Sequence, residues 1–260
     1  MQEKQTFTGL TVRPFYGLYV WLVLLSVTLP TLLLLVFTPG ELRRRKINRY
    51  AARLSFILAG IPITVEGLKN VPAGANIVVA NHASYLDGII LTAVLPPDYR
   101  FVIKREMTKV PFAHFLLRRT GAEFVDRFEA GRRHADTRRV MQLADKGHSL
   151  AFFPEGTFTA APGLGRFHNG AFKAAVRSKL PVLPVVIMGS RAILPADQWL
   201  AIPGRINIVI HPSLSTSDTD LSARTLMAQA RETILAELDE PDLATRSSTE
   251  GTDITPNNGS

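Results

Sequence analysis

From Ile63 onward, apolar runs of strand length alternate with segments of helical spacing, and this alternation constrains the fold more than any other feature of the chain. Residues 63–65, 76–80, 100–103, 122–125, 149–153, 182–188 and 207–210 read as strands. Residues 88–94, 111–119, 132–146, 170–178 and 222–238 carry helical periodicity. Strands interleaved with helices predict an α/β fold: a largely parallel central sheet flanked by helices. At 260 residues the chain is long enough for one such core and an appendage.

The appendage is N-terminal. Tyr16 to Phe37 carries no charged residue and is almost entirely apolar. As a helix its 22 residues would extend ~33 Å, about the thickness of a bilayer core. Tyr16, Tyr19 and Trp21 lie near one end, where amphipathic rings favour the interface. Pro30 predicts a kink, or a break into two short helices dipping into one leaflet, so spanning and dipping both stand. Arg43, Arg44, Arg45, Lys46, Arg49 and Arg53 follow with no acid among them. They account for much of the +8 net charge. Their place beside the apolar run points to anionic headgroups and away from nucleic acid.

Residues 44–58 have helical spacing, with Ile47, Ala51, Leu54 and Leu58 on one side and the basic residues opposite, as expected of a helix lying along headgroups. The positive-inside tendency places everything after Lys46 in the cytoplasm, at the inner membrane if the source is bacterial. The expected organisation is a loose polar stretch over 1–13, a membrane-anchoring segment over 14–60, the main domain over 61–239 and a disordered tail over 240–260. There is no cysteine, which excludes disulfides and thiolate metal sites. The histidines lack mutual metal-ligand spacing, so no metal is expected.

The chemistry concentrates where strand meets helix. His82 follows the apolar run 77–80, and Asp87 comes five residues later, at the start of the next helix. On one ideal helix that spacing separates two side chains by about 140°. They can cooperate only with His82 in the turn and Asp87 in the first helical turn. Ser84 as N-cap would place Asp87 at the third helical position, where the pair Ser84 and Asp87 could equally be a capping box with no catalytic role. In the active reading Asp87 holds the ring tautomer and the other nitrogen accepts a proton from a hydroxyl. An imidazole's ordinary pKa of ~6.5 suits such work near neutrality.

Four motifs then fall in one order: Asn81-His82 with Asp87; residues 121–127, ending in Asp126-Arg127; Phe153-Pro154-Glu155-Gly156-Thr157; and Leu183-Pro184-Val185-Val186. In order and spacing the chain resembles the 1-acylglycerol-3-phosphate acyltransferase family over residues 63–214. The resemblance implies acyl transfer from a coenzyme A or acyl carrier protein thioester to the free hydroxyl of a lysophospholipid, giving phosphatidic acid. It implies His82 as general base, Asp87 as its orienting acid, and substrate contacts from Asn81, Lys104, Arg127, Glu155, Gly156 and Thr157. Arg127 and Lys104 would serve the acceptor phosphate, and Glu155 a glycerol hydroxyl.

One departure stands out. Many members of the family carry Arg directly after the third motif's Thr, where this chain has Phe158. Arg166, in the next loop, is the candidate to supply that charge. The departure leaves the acceptor headgroup open, including another lysophospholipid or an ornithine-type lipid. A catalytically silent lipid-binding protein and a thioester hydrolase are the readings from other classes. The expected partners are membrane lipids, the lysophospholipid acceptor and the thioester cosubstrate, with no cofactor and no nucleic acid.

Overall fold

The structure, a computed structural model, describes residues 4–126, 130–218 and 220–244. The elements in chain order are α1 (Lys4–Phe37), α2 (Glu41–Ala59), β1 (Ile63–Glu66), β2 (Ile77–Ala80), α3 (Asp87–Val94), β3 (Arg100–Lys104), α4 (Pro111–Arg119), β4 (Glu123–Val125), α5 (Ala130–Asp145), β5 (Leu150–Phe152), α6 (Gly170–Ser178), β6 (Val182–Met188), α7 (Ser190–Ile193), β7 (Ile206–Ile210) and α8 (Ala223–Glu237).

The strands form one seven-stranded sheet in the order β1-β7-β6-β2-β5-β3-β4. The five strands from β6 to β4 run parallel. β7 is antiparallel to β6 and parallel to β1, so the expected largely parallel sheet is found with two reversed strands at one edge. β2 lies at the centre and is buried on both faces. Val78 and Ala80 face a core built with α2 and α3, while Ile77 and Val79 face one built with α5, α6 and α8. After β2 the chain turns into α3 on the first face; after the neighbouring β5 it turns into α6 on the second. Two adjacent parallel strands whose connections part to opposite faces leave a crevice at their carboxyl ends.

From Pro14 to Phe37 α1 is apolar around its whole circumference, yet only one stripe of these residues is buried: Gly17, Val20, Val23, Val27, Thr31 and Leu35. Phe15, Leu18, Leu22, Leu25, Leu29 and Leu33 stay exposed. A soluble helix would carry polar residues there; an apolar outer face calls for lipid. α1 is tied to the rest of the protein near its middle and at its C-terminal end. The Tyr16 hydroxyl donates to Ala59 O (2.9 Å), that of Tyr19 to Leu58 O (2.6 Å), and Trp21 Nε1 to Trp199 O (2.7 Å). At the far end the Arg119 guanidinium donates to the carbonyls of Leu35 and Val36. These are among the last carbonyls of α1, which have no partner within the helix.

Three expectations about the flanks change, and one of two open alternatives is decided. The helix continues through Pro30 without breaking into two, and the helix already includes Lys4 to Arg13 of the stretch expected to be loose. α2 does not turn its basic face to headgroups along its length. Arg45, Arg49 and Arg53 donate to the carbonyls of Asp98, Val94 and Ala93, at and beyond the C-terminal end of α3. A helix C-terminus offers unpaired carbonyls and partial negative charge, which attracts cations as well as a headgroup does. The buried face of α2 is Ala52, Ser55, Phe56 and Ala59, while Leu54, Ile57 and Leu58 are exposed. Finally, Glu240 to Leu243, assigned to a disordered tail, dock on the domain: Leu164 N donates to Pro241 O, Leu243 N to Leu164 O, and Asp242 pairs with Arg231. The remainder of that tail, 245–260, lies outside the described residues.

Candidate active site

The crevice at the carboxyl ends of β2 and β5 holds His82. Its Nδ1 lies 2.9 Å from Asp87 Oδ2. The same oxygen accepts the backbone N–H groups of Ala83 (2.6 Å) and Ser84 (2.8 Å). Asp87 is fully buried, and its Oδ1 has no donor among the described residues. A carboxylate oxygen already accepting two N–H groups acts as an acceptor toward the ring, so the network assigns the ring proton to Nδ1. That leaves Nε2 with its lone pair, and Nε2 has no protein partner among the described residues. The His82 side chain keeps 18% of its surface exposed. The capping and catalytic readings of Asp87 therefore coexist in one carboxylate.

The details of the turn differ from expectation. α3 begins at Asp87 itself, with Leu86 as N-cap. Ser84 is not the cap: its hydroxyl accepts Leu86 N–H (3.1 Å) and donates to Leu194 O (2.7 Å), fastening the turn to the segment after β6.

Glu155 does not wait for a glycerol hydroxyl. Its Oε1 accepts the backbone N–H of His82 (2.6 Å) and its Oε2 that of Gly165 (2.7 Å). Both oxygens join the two loops that border the imidazole. Burial pushes this carboxyl up to about 7, against the two N–H groups and the Arg191 charge, which pull it down. Asn81 is likewise committed to structure. Its Nδ2 donates to Ile187 O (2.9 Å) and its Oδ1 accepts Ile187 N–H (2.7 Å), so the buried amide ties the turn to β6 and is not turned to substrate. Gly156 sits in a turn at φ +77°, with its N–H donating to Phe153 O. Thr157 is exposed.

Two aromatic rings flank the imidazole. Phe153 stacks on it with ring centroids 4.3 Å apart and an interplanar angle of 19°. Phe158 lies 4.4 Å away, tilted by 59°, with its ring edge-on to Tyr85. Lys104 is half-buried at the carboxyl end of β3, two strands from β2 on the same edge of the sheet, and Arg166 is exposed beside Gly165. Neither has a carboxylate partner among the described residues. Arg127 lies outside the described residues.

Residues 62–188 match the family model described as Acyltransferase. Over these residues the chain is similar to the acyltransferase family. Over 202 residues it is 30% identical to the chloroplastic 1-acyl-sn-glycerol-3-phosphate acyltransferase of Arabidopsis thaliana, covering 75% of this chain and 55% of that one. Over 170 residues it is 30% identical to the 1-acyl-sn-glycerol-3-phosphate acyltransferase of Pseudomonas aeruginosa, covering 64% of each. This chain thus spans between half and two thirds of the length of these relatives. The crystal structure of the 1-acyl-sn-glycerophosphate acyltransferase of Thermotoga maritima superposes with a TM-score of 0.74 at 23% identity, covering 86% of this chain and 93% of that one. That likeness establishes the shared fold, including a largely parallel sheet flanked by helices.

All the candidate residues read from the sequence fall inside the acyltransferase match. The contribution of Phe153 and Phe158 was not read from the sequence. Phe153 closes an apolar run beside the motif glutamate and lies just past the carboxyl end of β5, the neighbour of β2, a placement that the order of the strands decides. Phe158 was visible only as a departure from pattern, not as a wall of the site.

Proposed function

We propose that this protein transfers an acyl group from a thioester of coenzyme A or acyl carrier protein to the free hydroxyl of 1-acylglycerol-3-phosphate, forming phosphatidic acid. The observation that carries the proposal is the His82–Asp87 pair, with its proton on Nδ1 and its Nε2 unengaged. Nε2 takes the acceptor's hydroxyl proton as the oxygen bonds to the thioester carbonyl carbon. The C–S bond then breaks, and the departing thiolate recovers the proton from the imidazolium. Asp87 stays ionised throughout and holds the ring against rotation, in the manner of an orienting acid. No acyl-enzyme is required, and the steps call for no metal or redox cofactor.

Lys104 and Arg166 are the cations proposed to meet the acceptor phosphate, together with Arg127. Phe158 stands where many relatives offer another cation, which favours testing a second acceptor class, a lysophospholipid with a different headgroup or an ornithine-type lipid. A panel of lysolipids given to purified protein with labelled acyl-coenzyme A decides between them. The proposal expects the label in phosphatidic acid. Label in another lipid supports the second reading, and label only in free fatty acid supports a hydrolase.

The site works at a membrane surface. The α1 contacts favour burial in one leaflet over spanning. The apolar stretch Pro14–Phe37 is bound to the same domain through Tyr16 and Trp21 in its first third and through Leu35 and Val36 at its end, so it cannot carry its two ends to opposite sides of a bilayer. The exposed leucines of α1 would enter the acyl region, with the crevice on the cytoplasmic side.

A further inference from the structure

The segment between Gly156 and Gly163 joins the end of β5 to the strand-like contact at Leu164, and both of its ends turn at glycines with positive φ (+77° and +138°). At Gly163 a Cβ would collide with the Leu243 side chain and the Pro241 carbonyl oxygen, so the turn has no room for a larger residue there. The base of this loop is held by Arg191. Its Nη1 donates to Thr159 O (2.6 Å) and Ala161 O (2.9 Å). Its Nη2 donates to Gly163 O (3.4 Å) and Glu240 Oε2 (3.1 Å), and its Nε to Glu240 Oε1 (3.0 Å). A guanidinium has five N–H groups, and these contacts occupy all five. Arg191 is therefore a fastening and is closed to a substrate phosphate. Glu240 also accepts Gly163 N–H at 2.8 Å, so the C-terminal segment locks the same turn.

Phe158 stands near the β5 end of this held loop, against His82. Phe153 and Phe158 have ring centroids 4.3 and 4.4 Å from the imidazole centroid. Two rings so close cannot share one face, so they enclose the imidazole from two sides. An aromatic ring offers water no strong hydrogen bond, whereas the glycerol carbons and acyl chain of a lipid can lie against it. A flexible cation in the same place would carry hydration water to the base.

Given that His82 is the base of an acyl transfer, we propose that Phe158 determines which hydroxyl it serves, shielding the imidazole from water and leaving it open to a lipid alcohol. The two outcomes differ in one atom. In transfer the lipid oxygen bonds to the acyl carbon, the C–S bond breaks, and the thiolate takes the proton from His82. In hydrolysis a water oxygen takes that place, and the products are free fatty acid and thiol. Arg191 and Glu240 are positioning residues in this account, acting through the loop that carries Phe158.

The test is the partition of label from acyl-coenzyme A between phospholipid and free fatty acid, measured with the full chain and saturating lysophosphatidic acid in detergent. Phe158→Ala is expected to shift that ratio toward free acid by at least about tenfold, equivalent to ~1.4 kcal/mol in relative barrier. Phe158→Tyr should keep the ratio near that of the unsubstituted protein. Arg191→Lys, which leaves Phe158 intact but loosens its loop, should shift it in the same direction as Phe158→Ala and by less. An unchanged ratio in Phe158→Ala, a shift toward phospholipid, or loss of both products together overturns the role of Phe158. Absence of labelled phospholipid with the unsubstituted protein, whatever the acceptor, overturns the acyltransfer reading instead.

Discussion

Glu155 Oε1 accepts the backbone N–H of His82 at 2.6 Å, so a carboxylate after β5 holds the turn that presents the imidazole after β2. Its other oxygen holds Gly165, near the end of the loop that Arg191 fastens. One buried side chain thereby sets the spacing of the two loops on which the chemistry depends.

Burial raises the Glu155 carboxyl from 4.5 to about 7, with the nearby Asp87 adding to the rise. The folded protein thus holds this proton more tightly than the unfolded chain does. Stability from that proton is fully present below about pH 4.5 and is lost as the pH climbs through about 7, by on the order of 3 kcal/mol. Urea denaturation at several pH values is expected to show this decline, and Glu155→Gln to flatten it. Gln cannot accept both N–H groups, so the same variant should lower kcat by about tenfold or more.

Asp87→Asn separates geometry from charge. With its oxygen placed where Oδ2 now sits, the amide can still accept from Ala83 and Ser84, and its nitrogen takes the site of the unpartnered Oδ1. The expected cost in stability is about 1–3 kcal/mol for a buried donor without a partner. The loss in kcat should be about 10²-fold or more, because the imidazolium loses its counter-charge. Steady-state kinetics beside a denaturation curve tests the two separately.

Asn81→Ala should behave as a structural variant. It strands the N–H and carbonyl of Ile187 in the core, costing about 1–3 kcal/mol in unfolding free energy. KM for the lysolipid should stay within about twofold of its original value, since the lost amide does not reach substrate. A large rise in KM at unchanged stability would return Asn81 to the binding site.

Membrane attachment should follow α1 and not the arginines of α2. Replacing Leu18, Leu22, Leu25 and Leu29 together by Ser is expected to move most of the protein into the supernatant after sedimentation with anionic vesicles. Arg49→Ala should leave sedimentation unchanged and cost about 1 kcal/mol of stability, as Val94 at the end of α3 loses a hydrogen bond.

The sheet was legible because its period is local. All seven strands and the five helices read after Ile63 appear within one or two residues of their expected ends, since apolar runs and their breaks carry that information directly. His82 and Asp87 were legible because a turn of five residues brings them together. The roles of Glu155 and Asn81 were not, because each is decided by a partner far along the chain: Glu155 by His82 and Gly165, Asn81 by Ile187. The arginines of α2 misled for the same reason. A basic stripe beside an apolar helix suits lipid phosphates and helix-end carbonyls alike, and the packing of α3 makes the choice. Pro30 left an unbroken helix and a broken one open, because a proline costs an apolar helix one hydrogen bond; the packed stripe from Val20 to Leu35 holds the helix across it.

The account rests on His82 Nε2 taking a proton from a lipid hydroxyl. The most direct measurement compares His82→Ala with the unsubstituted protein in the rate of labelled phosphatidic acid formation from acyl-coenzyme A and lysophosphatidic acid, with folding verified by circular dichroism. A fall of at least about 10²-fold in kcat is the predicted result. A folded variant that still makes phosphatidic acid at the original rate would contradict it.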